Sequence, residues 1–139
     1  MSDVVPEWPE GTAAVLATAG DGPHAIPVST AVRTGERTVH LALGRRRASL
    51  ARLREDPRCT LTVMAGPDLA FTLHGRATVV GDDVAGTVGV RLDVEAVQDH
   101  MTKDFTIEDG VRWRWTAERA AQRDADVRAG LRALDERPT

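Results

Sequence analysis

Gly44-Arg45-Arg46-Arg47-Ala48-Ser49 sets three consecutive guanidinium groups and a hydroxyl at the start of a short amphipathic segment. Leu50 and Leu53 lie three apart with Ala51 beside them, and Asp56-Pro57 follows, so the segment is expected to be a helix closed by that dipeptide. Ser49 falls in its first turn. A helix start presents unpaired backbone N–H groups and a partial positive charge, so added guanidinium and hydroxyl donors can make a phosphate cradle. The alternating run Val39 to Leu43 leads in and would hold the cradle at the end of a rigid sheet. The same triplet also reads as a solvated helix face, because arginine is the default cation here. Of 18 basic residues only Lys103 is a lysine, which, with abundant Ala, Gly and Val, points to GC-rich, actinobacterial codon usage rather than chemistry.

Other residues offer less. His24, His40, His74 and His100 are scattered without ligand spacing, so no metal site is expected. His74 shares a strand face with Arg76 and could approach a ligand. Ser29 and Ser49 lack a nucleophile-elbow context, and no glycine-rich phosphate loop is present. No catalytic acid, base or nucleophile is identified. Trp113 and Trp115, flanked by Arg112 and Arg114, admit two readings. They could clamp a flat anionic ligand or a single-stranded base, or lie in a core or subunit interface with the arginines in water; interface is the favoured one.

Composition narrows the classes. A chain of 139 residues fits one domain, and 42% hydrophobic residues argue against wholesale disorder. Net charge of −3 excludes the strongly basic footprint of a general nucleic-acid binder. Cys59 has no internal disulfide partner and falls in an expected strand, so a buried role in a reducing cytoplasm is expected. No apolar run reaches membrane-spanning length, and MSDVVPEWPE resembles no signal peptide.

The elements that must position the cradle follow from periodicity. Residues 1–10 read as a tail that packs through Trp8, and residues 11–139 as the domain. Gly11 to Ala19 and His24 to Val32 are expected to form a hairpin around Gly20-Asp21-Gly22-Pro23. Pro27 cannot donate to a ladder, so its strand should lie at an edge or bulge. A turn around Gly35-Glu36 leads to Thr38–Leu43. Beyond the short helix, strands are expected over Arg58 to Met64, Phe71 to Val80, Val88 to Glu95 and Val111 to Trp115, with a turn at Gly81-Asp82-Asp83. A final helix runs over 116–136 with Val127, Leu131 and Leu134 as its stripe. Roughly six or seven strands, one helix after the third and one at the end describe a mainly β fold, a small barrel with helical additions.

Three pieces of this pattern carry a family resemblance: PHAIPVSTAV, ALGRRRASLARLREDPRCTLTV and FTLHGRATVV. The second is the most specific, running from a strand end through basic and hydroxyl residues and a helix ending Leu-x-x-Asp-Pro to the next strand. Together, over about Gly11 to Val97, they resemble the flavin-binding split β-barrels related to pyridoxamine 5′-phosphate oxidase. The resemblance implies a small antiparallel split barrel, a homodimer, and FMN held between the subunits. By position Arg45, Arg46, Arg47 and Ser49 would surround the phosphate. Pro27, Val28 and Ser29 would lie near the ring, with Ala42 and Leu43 beneath the ribityl chain. Some members use the deazaflavin coenzyme and others bind haem.

Two departures bear on this. Ser49 and Arg52 stand where many members have lysine and asparagine, so Arg47 would grip the phosphate in place of the lysine. The oxidase proper carries a C-terminal substrate motif of arginine and histidine, and none follows Trp115, so pyridoxamine phosphate oxidation is not expected. The resemblance implies an FMN-dependent oxidoreductase acting on a small molecule, and the composition adds a cytoplasmic setting with no nucleic-acid or membrane partner. The alternatives are a deazaflavin-dependent reductase and a non-catalytic flavin- or haem-binding module.

Overall fold

Period-two alternation of apolar and polar residues builds most of this chain. The computed structural model describes residues 4–135. Seven strands pair antiparallel: β1 (Ala14–Thr18), β2 (His24–Val28), β3 (Val32–Gly35), β4 (Thr38–Leu43), β5 (Arg58–Ala65), β6 (Leu69–Val84) and β7 (Thr87–Asp99). They form one sheet in the order β2-β1-β5-β6-β7-β4-β3. Helix α1 (Ala48–Glu55) joins β4 to β5, and α2 (Glu118–Asp135) follows a long irregular segment. The sheet is not closed by its ladder, and with its two helices it is the split-barrel architecture of a single small domain. The helix end expected at Glu136 lies outside the described residues. No helix among them is long and apolar enough to cross a membrane.

The inward faces make the main core. Val39, Leu41 and Leu43 of β4, Leu61 and Val63 of β5, Leu73 of β6 and Val90 and Leu92 of β7 are all buried there, and Leu50 and Leu53 of α1 join them. The N-terminal segment contributes more than Trp8. The Trp8 ring lies 5.9 Å from that of Phe71, and Val5 is fully buried with its N–H donating to Glu36 O at 2.7 Å. Cys59 is buried, and desolvation pushes its thiol up to about 12. A maleimide reagent at neutral pH is therefore expected to leave Cys59 unmodified in the native protein and to modify it fully in denaturant. Equal rates in the two states would contradict its burial.

A second, smaller cluster lies on the other face of β4. Val32, Ala42 and Val84 meet Val127 and Leu131 of α2, with Leu134 at the margin. Helix α2 thus covers this face by one stripe, and Glu10 ties the N-terminal segment to it through ion pairs with Arg128 and Arg132. His40 points to the same side, with Nδ1 2.7 Å from Thr34 Oγ1. Burial holds its pKa below 6.5, so the ring is neutral under α2 at neutral pH.

Three expectations need correction. The run His24 to Val32 is not one strand: it breaks into β2 and β3 at Ser29–Ala31. Thr30 accounts for the break, since its hydroxyl accepts from Ala42 N–H and donates to Ala42 O, both at 3.1 Å, replacing strand pairing there. As a result α1 follows the fourth strand, not the third. The turn expected at Gly81-Asp82-Asp83 lies at Ala85-Gly86, both with positive φ, and β6 runs on to Val84. Gly81 and Gly89 face each other, and the space their missing side chains leave is filled by Leu134 Cδ1, 3.1 Å and 2.7 Å from where a Cβ would stand. Lastly, Val111–Trp115 forms no strand. Both tryptophans are about two-fifths exposed, and the Trp113 indole N–H donates to Gly11 O at 2.8 Å.

Candidate functional site

Where β4 ends and α1 begins, three consecutive arginines run up to a helix start. Val39, Leu41 and Leu43 are committed to the core, so the chain must turn out at Gly44, and Arg45, Arg46 and Arg47 are all exposed. Arg47 occupies the N-cap position in an extended conformation and makes no side-chain cap, and no acidic residue stands in the first turn of α1. Such a helix start favours an anion. Arg45 Nη2 lies 3.4 Å from Asp83 Oδ1, an exposed pair. Neither Arg46 nor Arg47 has a hydrogen bond or ion pair from its side chain among the described residues.

The remainder of α1 is locked to the sheet. Ser49 is wholly buried, with Oγ 3.2 Å from His24 Nε2. Arg52 donates to Thr18 Oγ1 at 2.9 Å and to the Gly22 carbonyl, so the β1–β2 turn is fastened to the helix. At the far end Asp56 N–H donates to Arg52 O, and Pro57 prevents continuation. Hydrogen bonds from Arg58 hold the Asp56 carboxyl down at about 2.

Beside this corner runs a cleft of about 400 Å³ between α2 and the β2–β3 connection. Ser29, Thr30 and Thr87 form one wall; Trp115, Arg119 and Arg123 stand on the other. The link to the corner is indirect: Thr30 is bonded to Ala42, and Arg45 reaches Asp83, whose carboxylate also accepts from Gly86 N–H beside Thr87. Replacing Thr30 with valine leaves both Ala42 groups without that partner. The unfolding free energy is then expected to fall by about 1–2 kcal/mol in a urea titration; an unchanged midpoint would contradict the role given to its hydroxyl.

The sequence-derived residues divide as follows. Arg45, Arg46 and Arg47 share one exposed corner, and Pro27 is exposed on the edge strand β2, where a missing N–H is tolerated. Ser29 lines the cleft. Val28 and Leu43 are buried in the main core, Ala42 is buried under α2, and Ser49 presents no surface. His74 meets Gln98 Oε1 at 3.1 Å and does not line the cleft. Among the described residues no group of three or more His, Cys, Asp or Glu gathers around a point suited to a metal ion. The cleft's cations were not singled out from the sequence, although Arg119, Arg123 and Val127 recur at four-residue spacing on one helix face.

Residues 3–133 match the family model described as pyridoxamine 5′-phosphate oxidase. No curated protein matches the chain significantly. Among solved structures, a proposed pyridoxamine 5′-phosphate oxidase from Lactobacillus delbrueckii is similar with a TM-score of 0.58 at 16% identity, over 69% of this chain and 94% of that one. An FAD-binding protein from Mesorhizobium loti gives 0.52 at 17% identity, over 62% and 83%. General Stress Protein 26 from Bacillus anthracis gives 0.51 at 13% identity, over 63% and 82%. At these identities the likeness is one of fold. The family match, by contrast, spans nearly the whole chain, through the sheet, the arginine corner and α2, and the chain belongs to the pyridoxamine 5′-phosphate oxidase family.

Proposed function

We propose that this chain is a homodimeric FMN-binding protein that oxidises or reduces a small molecule. The observation that carries the reading is the β4–α1 corner. Three consecutive exposed arginines lead into a helix start without a carboxylate in its first turn, in a chain matched by the family almost end to end. That donor set suits a phosphate monoester: charge-assisted, bidentate and open to solvent. The FAD-binding protein of like fold supports a flavin as the ligand class.

Bound there, the flavin supplies the hydride or electron chemistry, and the chain supplies position and field. Arg45, Arg46 and Arg47 hold the phosphate. Ser49 acts indirectly: its contact with His24 keeps the β1–β2 hairpin against α1. Pro27, Val28 and Ser29 border the ring, and Ala42 and Leu43, whose side chains are buried, border the ribityl chain through their backbone. A second copy would complete the site. The edge position of β2 and the exposed Val15 and Met64 on the outer face of β1 and β5 leave apolar surface for it. The deazaflavin coenzyme, also a phosphate-bearing ring system, would suit the same corner. Ser49, buried where the family resemblance implies a lysine, favours a second reading: a flavin or haem carrier without turnover.

The absorption spectrum of the purified protein, followed by FMN titration and anaerobic addition of reduced nicotinamides, tests this. The expected result is a protein-bound flavin spectrum that bleaches on reduction. Bound flavin that neither nicotinamide bleaches favours the carrier, and absence of FMN uptake at micromolar concentration overturns the reading.

A further inference from the structure

We propose that the cleft between α2 and the β2–β3 connection binds a planar organic anion, a ring bearing a carboxylate or phosphate ester, and that this is the substrate class. Its volume of about 400 Å³ suits a molecule of one or two rings. Its charge is unbalanced. Arg119 and Arg123 stand one turn apart on α2, and neither makes a hydrogen bond or ion pair among the described residues. Among the described residues the one carboxylate lining the cleft, Asp124, is buried and paired with Arg128. Two guanidiniums thus face the cleft without a counter-charge.

The remaining wall suits a ring. Trp115 offers a flat, partly exposed indole at the rim. It is held edge to face by Trp113, with centroids 5.1 Å apart at 86°, and Trp113 is itself anchored to Gly11 O. Val127 and Ala120 supply an apolar floor. Across from them the Ser29 hydroxyl makes no hydrogen bond among the described residues. Arginine and tryptophan flanking an apolar floor stack and neutralise an aromatic anion. Ser29, which the flavin reading sets at the ring, also lines the cleft, so such a ligand would lie beside the flavin ring. The substrate role rests on the flavin reading; the anion site does not.

Calorimetric titration of the full chain, with and without FMN, tests both. The probes are naphthalene-2-carboxylate, 2-naphthyl phosphate and the neutral naphthalene-2-carboxamide. The anions are expected to bind about tenfold more tightly than the amide. Arg119→Gln with Arg123→Gln should abolish that preference and leave amide affinity unchanged. Trp115→Leu should weaken all three by about fivefold. All three side chains are exposed, so circular dichroism should be unchanged. Absence of anion binding at millimolar concentration, or a preference that survives the double substitution, overturns the proposal. Anion binding without FMN binding keeps the site and removes the flavin reading; FMN binding without anion binding does the reverse.

Discussion

Replacing Arg45, Arg46 and Arg47 together with glutamine is expected to weaken FMN binding by about hundredfold while leaving the fold intact. The first half follows from donor chemistry. A phosphate dianion at this corner would take charge-assisted bonds from up to three guanidiniums, and solvent exposure cuts their combined worth to about 3 kcal/mol. The second half follows from what the arginines do in the chain. Arg46 and Arg47 have no side-chain partner among the described residues, and the Arg45–Asp83 pair is exposed at 3.4 Å, so its loss costs under about 1 kcal/mol. Glutamine is shorter than arginine, keeps a polar N–H donor, and removes the charge and the bidentate fork. Fluorescence quenching of FMN reads the affinity, and a thermal melt checks the fold. Unchanged FMN affinity would contradict the anchor.

Gly75→Ala is expected to be the most damaging conservative change in the sheet. Gly75 sits where β6 crosses a bulge in β7: His74 opposes Ala96 and Gly75 opposes Val94, so Glu95 is the extra residue. There the two backbones approach so closely that a Cβ would fall inside the contact distance of the Asp93 carbonyl oxygen, and 3.1 Å from Leu92 Cδ1. Neither neighbour can give way. Asp93 is held in ladder positions against Arg76 and Thr38, and Leu92 is fully buried. The strain should cost about 3 kcal/mol, lowering the melting temperature by about 10 °C. A melt shifted by only a degree or two would contradict this packing.

Much of the frame was legible because half-buried strands announce themselves at period two. Cys59, Leu61 and Val63 alternate with Thr60, Thr62 and Met64 in the sequence, and the first three are buried in the structure. The short helix was equally clear, from Leu50, Leu53 and Asp56-Pro57. Legibility failed where a residue's part depends on distant neighbours. Gly81 reads as turn punctuation, yet it seats Leu134, which no local pattern reveals. Val111 to Trp115 alternates as a strand should. Its residues join no ladder, and the indole N–H of Trp113 finds the Gly11 carbonyl instead. Thr30 looks like a strand residue, but its hydroxyl bonds to the Ala42 backbone beyond the start of β3.

The candidate site shows the same division. A run of arginines before a helix is visible in one dimension, and all three are exposed at the corner where β4 ends. Ser49 reads as a donor because it is polar and sits in the first turn. Its side of the helix is the one that meets His24, and that is decided by the β1–β2 hairpin. Arg119 and Arg123 belong to a helix that reads as solvated from composition alone. Only the fold lays that helix along the β2–β3 connection and makes their face a cleft.

Comparing FMN with riboflavin on the natural chain isolates the phosphate, because the two ligands share the ring and ribityl chain. An anchor at Arg45 to Arg47 predicts FMN binding at micromolar concentration, about hundredfold tighter than riboflavin, with the gap shrinking as salt is raised. Equal affinities for the two, or a gap indifferent to salt, would contradict a corner whose cations hold a cofactor by its phosphate.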